Sequence, residues 1–90
     1  MSFENYPKDF LLFDNNARIV AIDICEQRNL LASGSNDNTI KLWNLWNNSL
    51  IQTYSNVGKM IDIKFSNEGN LLAFGGELDV TIKVVNISDL

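Results

Sequence analysis

Ser33, Asp37 and Trp43 are among the few residues in this chain of 90 whose types and spacing suggest chemistry. A serine beside a carboxylate could form part of a nucleophilic triad, but a hydroxyl attacks only with an adjacent base of suitable pKa, and the sequence contains no histidine. Glu77 and Asp79 could in principle act as a paired acid and base, although two carboxylates in one turn are the ordinary composition of a solvated loop. The stretch Asn36-Asp37-Asn38 opens like a calcium loop and then lacks the glycine at the sixth position and the bidentate glutamate at the twelfth. Cys25, the single cysteine, excludes an internal disulfide and reads as a small core hydrophobe. No catalytic group, metal site or cofactor is therefore expected.

The elements that would carry these residues emerge from a repeat. Shifting the sequence by 41 residues lays Ile19-Val20-Ala21-Ile22-Asp23-Ile24 on Met60-Ile61-Asp62-Ile63-Lys64-Phe65, and Leu30-Leu31-Ala32-Ser33-Gly34 on Leu71-Leu72-Ala73-Phe74-Gly75. After one inserted residue near Leu78, Thr39-Ile40-Lys41-Leu42-Trp43-Asn44-Leu45 falls on Thr81-Ile82-Lys83-Val84-Val85-Asn86-Ile87. Phe10 to Asn15 aligns in the same way with Ile51 to Asn56, so the chain opens with the strand that ends a unit.

Within a unit the pattern is that of short antiparallel strands. Ile61, Ile63 and Phe65 alternate with Asp62 and Lys64, the period of two expected of a sheet with one drier face, and helical periodicity is absent. Asn67-Glu68-Gly69-Asn70 and Ser35-Asn36-Asp37-Asn38 are turn-formers that punctuate the strands. The organisation expected is residues 1–9 as an N-terminal tail, 10–49 as an outer strand plus the first repeat, and 50–90 as an outer strand plus the second.

The segment from Leu30 to Leu45, with Ser33, Gly34, Asp37, Trp43 and Asn44 in register, resembles the most recognisable stretch of the WD-repeat family. The second unit keeps Gly75, Gly76, Asp79, Thr81, Ile82 and Asn86, and has Val85 where the tryptophan belongs. The resemblance implies an all-β chain: two four-stranded antiparallel blades of a WD-repeat β-propeller, an incomplete ring. It also implies a buried hydrogen-bonded chain of Trp43, Ser33 and Asp37, whose histidine member is missing near Asn15 or Asn16.

The function so implied is a protein–protein interaction scaffold or adaptor, not an enzyme. In the family, partners bind on the rim formed by loops that here run from Asp14 to Arg18, Asn36 to Asn38, Ser55 to Lys59 and Glu77 to Asp79, so Arg18, Asn36, Lys59 and Glu77 are the candidate contacts. Arg18 and Lys59 would reach an acidic partner. Trp46, in the connector after the first unit, is either packed under the last strand or exposed as an anchor. Asn70 to Gly76 followed by Asp79 to Ile82 is also similar to the propeller of a ubiquitin ligase of pre-mRNA splicing.

A closed propeller needs at least four blades and this chain supplies two. Either it is a truncated or degenerate piece without independent function, or further blades or copies complete the ring; three copies would make six blades and four would make eight.

Bulk properties narrow the partners further. A net charge of −4 and seven scattered Lys and Arg residues offer no basic stripe for a phosphate backbone, so direct nucleic-acid binding is not expected. No signal-like start and no apolar run long enough for a bilayer are present, and with one cysteine this suggests an intracellular home in cytoplasm or nucleus, away from membranes. The sequons Asn47-Asn48-Ser49 and Asn86-Ile87-Ser88 are no more than asparagine-rich composition produces by chance.

Overall fold

A computed structural model describes residues 18–55, 60–76 and 82–90. The N-terminal tail, the leading strand at 10–15 and the candidate residues Lys59, Glu77 and Asp79 lie outside the described residues.

Among the described residues, seven strands form two antiparallel sheets. β1 (Ile19–Cys25), β2 (Leu30–Ser35), β3 (Ile40–Asn44) and β4 (Leu50–Tyr54) make the first, in the order β1-β2-β3-β4. β5 (Met60–Phe65), β6 (Leu71–Gly76) and β7 (Ile82–Asn86) make the second, which has three described strands. β4 comes from the sequence unit 50–90, yet it hydrogen-bonds to β3 and closes the sheet of the unit before it.

The two sheets repeat each other in register. Asp23 faces Ala32 as Lys64 faces Ala73, and Ile22 faces Ser33 as Ile63 faces Phe74. Even the irregularity recurs: one extra residue, Val20 in β1 and Ile61 in β5, bulges from the ladder and sharpens the local twist. The links between strands are short. β1 passes to β2 through a single 3-10 turn at Glu26–Arg28, which the sequence pattern did not indicate, and Asn29 closes it at φ 57°. Asparagine tolerates that left-handed conformation because its short side chain bonds locally.

The sheets stack face to face. Opposed residues of an antiparallel pair share a face, so Ala21, Asp23 and Cys25 lie on the same side as Leu30, Ala32, Ile40, Leu42 and Tyr54. That side packs against Ile63, Phe65, Leu72, Phe74 and the half-buried Val85 of the second sheet, with Ile87 beside them, to give one continuous apolar core. Trp43 and Leu45 are also buried, but outside this cluster, Trp43 being on the opposite face of the first sheet.

Candidate partner-binding site

The rim residues within the described region converge at one edge of the first sheet. Arg18 precedes β1 and Asn36 follows β2, and antiparallel pairing of those strands brings the two residues together. They are joined reciprocally: the Arg18 backbone N–H donates to Asn36 Oδ1 at 3.0 Å, and the Asn36 N–H donates to the Arg18 carbonyl at 2.9 Å. Asn36 is thereby committed to holding the rim together, while the Arg18 side chain, which takes no part in either bond, lies exposed beside it.

Beyond Asn36 the loop is stiffened from within. Asp37 Oδ1 accepts the Thr39 N–H at 3.2 Å and the Thr39 hydroxyl at 2.7 Å, while Ser35 N–H donates to the Thr39 carbonyl at 3.0 Å. Asp37 is exposed and serves its own turn. Trp43 and Ser33 meet deeper in the sheet, where the indole N–H donates to Ser33 Oγ at 3.0 Å and so meets the buried ring's need for an acceptor. Gly34 is buried in β2 next to Ser33 and paired with Ile40 of β3, and Gly75 holds the equivalent place in β6, half-buried and paired with Ile82.

Asn44 and Asn86 perform the same local task at the ends of β3 and β7. Asn44 Oδ1 accepts the N–H groups of Trp46 at 2.8 Å and Asn47 at 3.3 Å, and Asn86 Oδ1 accepts that of Ser88 at 2.8 Å, turns in which the asparagine side chain mimics a backbone carbonyl. Trp46 emerges from the first of these turns exposed and outside the apolar core. On the neighbouring strand β4, the Tyr54 hydroxyl is shifted to a higher pKa, first by burial and then by the negative charge of Asp89.

Three residues not singled out in the sequence tie the two sheets together. Asp23 Oδ2 accepts the Phe65 N–H of β5 at 2.7 Å. The Arg28 guanidinium donates to the carbonyls of Gly69 at 2.7 Å and Ile87 at 2.9 Å, and also to that of Leu90. Gly69, at φ +76°, presses so closely that a Cβ there would lie 2.5 Å from Cys25 Sγ. The available signal was the 41-residue offset itself: Asp23 and Arg28 break the repeat, being opposite Lys64 and Gly69. A cleft of about 290 Å³ opens beside these ties, lined by Asp23, Glu26, Lys64 and Ser66 among others. Among the described residues no cluster of His, Cys, Asp and Glu is arranged to hold a metal ion.

Comparison with known proteins agrees with this geometry. The family described as WD domain, G-beta repeat matches residues 11–44. The crystal structure of the computationally designed Ika4 protein is similar at a TM-score of 0.72 and 25% sequence identity, over 88% of this chain and 47% of that one. The chain thus spans about half the length of that structure. No curated protein sequence matches. With a matched WD repeat over residues 11–44 and a second sheet built on the same register, the chain has the all-β architecture of β-propeller blades and resembles the WD-repeat family.

Proposed function

We propose that the chain is a non-catalytic scaffold element that holds a partner protein on the rim beside Arg18. The observation that carries this reading is the reciprocal Arg18–Asn36 pair, which ties the entry to β1 to the exit from β2 through backbone and amide groups and leaves the exposed arginine side chain outside both bonds. An exposed cation at the entry to β1, anchored through its backbone to Asn36, on a chain of net charge −4, suits an acidic segment of a partner. Lys59, at the equivalent place in the second unit, would extend the same contact. A reducing intracellular compartment suits such a chain, since Cys25 is a free thiol.

The test is a quantitative capture of cellular proteins by the wild-type chain, by Arg18→Glu, and by Gln27→Glu at the opposite end of β1. Arg18→Glu leaves the two backbone-mediated bonds to Asn36 intact, so the junction of β1 and β2 is kept. A defined set of proteins should be lost with Arg18→Glu and retained with Gln27→Glu. Identical capture by all three chains would end the rim assignment.

A further inference from the structure

The contact between the two sheets is asymmetric, and both of its halves recur on the outside of the molecule. In the first sheet the inward face carries Leu30, Ala32, Ile40 and Leu42; in the second the inward face carries Ile63, Phe65, Leu72 and Phe74. Register equivalence places Leu71, Ala73, Ile82 and Val84 on the outer face of the second sheet at the positions of the former set. It places Ile22, Ile24 and Leu31 on the outer face of the first sheet at the positions of Ile63, Phe65 and Leu72.

The exposures state the consequence. Ile40 and Leu42 are 0% exposed, whereas Ile82 and Val84 are 78% and 56% exposed; Ile63 is 3% exposed and Ile22 is 58%. A concavity of about 340 Å³ also opens on the outer side of the second sheet, with Ala73, Gly75 and Ile82 in its lining. Apolar patches of this kind mark interaction surfaces.

We infer that the occupant of each outer face is a second copy of this chain, joined head to tail, with Ile22, Ile24 and Leu31 of one copy on Leu71, Ala73, Ile82 and Val84 of the next. The argument for a copy over an unrelated partner is that the fold already contains this contact. Each outer face has the backbone register of one half of the internal interface, and the two halves are complementary to each other and not to themselves. The contact is therefore heterologous, and repeated application of one rotation closes it into a ring, six sheets from three copies or eight from four. This surface is separate from the Arg18 rim, so either assignment can fail while the other stands.

Sedimentation equilibrium and native mass spectrometry of the 90-residue chain test it, with Ile22→Glu and Ile82→Glu as probes. Neither side chain belongs to the internal core, so both variants should keep the β-sheet circular dichroism of the wild type. The wild type should have the mass of three or four chains, and each variant alone the mass of one. Mixed in equal amounts, the two variants should form a dimer of one chain of each, because an intact head then finds an intact tail. A monomeric wild type, assembly that survives either single substitution, or a mixture that stays monomeric would each overturn the inference.

Discussion

The two sheets have one register and bury opposite faces. The first conceals the side bearing Ile40 and Leu42 and leaves Ile22 and Ile24 in solvent; the second conceals Ile63 and Phe65, the equivalents of that exposed pair, and leaves Ile82 and Val84 uncovered. Apart from Ser33 and Trp43, which are buried on the outward face of the first sheet, burial follows position in the stack and not residue type, since both faces of both sheets are apolar enough to be covered. The bulk on equivalent faces is also redistributed. Where the second sheet has Phe74 on its middle strand and Val85 on the next, the first has Ser33 and Trp43, so the large ring moves one strand outward and a hydrogen bond to Ser33 accompanies it.

That redistribution supplies the largest expected effect. Trp43→Ala removes a buried ring and strands the Ser33 hydroxyl, and should lower stability by about 3–5 kcal/mol. Val85→Ala, at the equivalent but half-buried place, should cost about 1 kcal/mol, and Trp46→Ala, at an exposed place, about 0.5 kcal/mol. Urea unfolding followed by far-ultraviolet circular dichroism measures all three. Equal costs at 43 and 85 would show that the two faces are packed alike and dissolve the contrast.

A middle-sized effect lies where the sheets touch. Gly69→Ala adds a Cβ that would stand 2.5 Å from Cys25 Sγ and forces a side chain to adopt φ +76°, for a cost of about 2 kcal/mol. Combining it with Cys25→Ala should return the part of the steric cost that comes from Sγ and leave the tight contact with Arg28 and the backbone strain. A double variant as unstable as the sum of the two singles would place the strain elsewhere.

The strand pattern was legible in the sequence because alternation and turn-formers act locally. Ile63 and Phe65 against Asp62 and Lys64 gave the buried face of β5 directly, and the turn at 67–70 falls where Asn, Glu and Gly stand. β1 has the same alternation and the opposite outcome: its bulky Ile22 and Ile24 face out while Ala21 and Cys25 face the neighbour. No local rule distinguishes these cases, because which side of a strand is covered depends on the next sheet in the stack. For the same reason nothing in the sequence marks Asp23 and Arg28 as ties between the sheets. Their acceptors and donors, the Phe65 N–H and the carbonyls of Gly69 and Ile87, are more than 40 residues away and belong to the backbone, which has no sequence signature. The rim pair was half legible: both Arg18 and Asn36 were marked by their loops, but not that Asn36 would be occupied by Arg18 itself.

The smallest effect bears on Lys64. Inside the molecule Asp23 accepts the Phe65 N–H at 2.7 Å, whereas on the outer face of the second sheet Lys64 stands in the place of Asp23 and would meet Ile24, the equivalent of Phe65, in a neighbouring copy. An ammonium has no acceptor to offer a backbone N–H, so a copy-to-copy contact lacks the bond that the internal contact has. Lys64→Asp restores the acceptor and should tighten association roughly tenfold, the size of one hydrogen bond to a charged group. Lys64→Met removes the cation without supplying an acceptor and should change association less. Because Lys64 is exposed, neither change should move the unfolding midpoint of a chain kept monomeric by Ile22→Glu. Sedimentation equilibrium separates the outcomes: tightening by Asp alone means that the outer contact repeats the inner one atom for atom, and equal behaviour of Asp and Met means that the two contacts share only their apolar part.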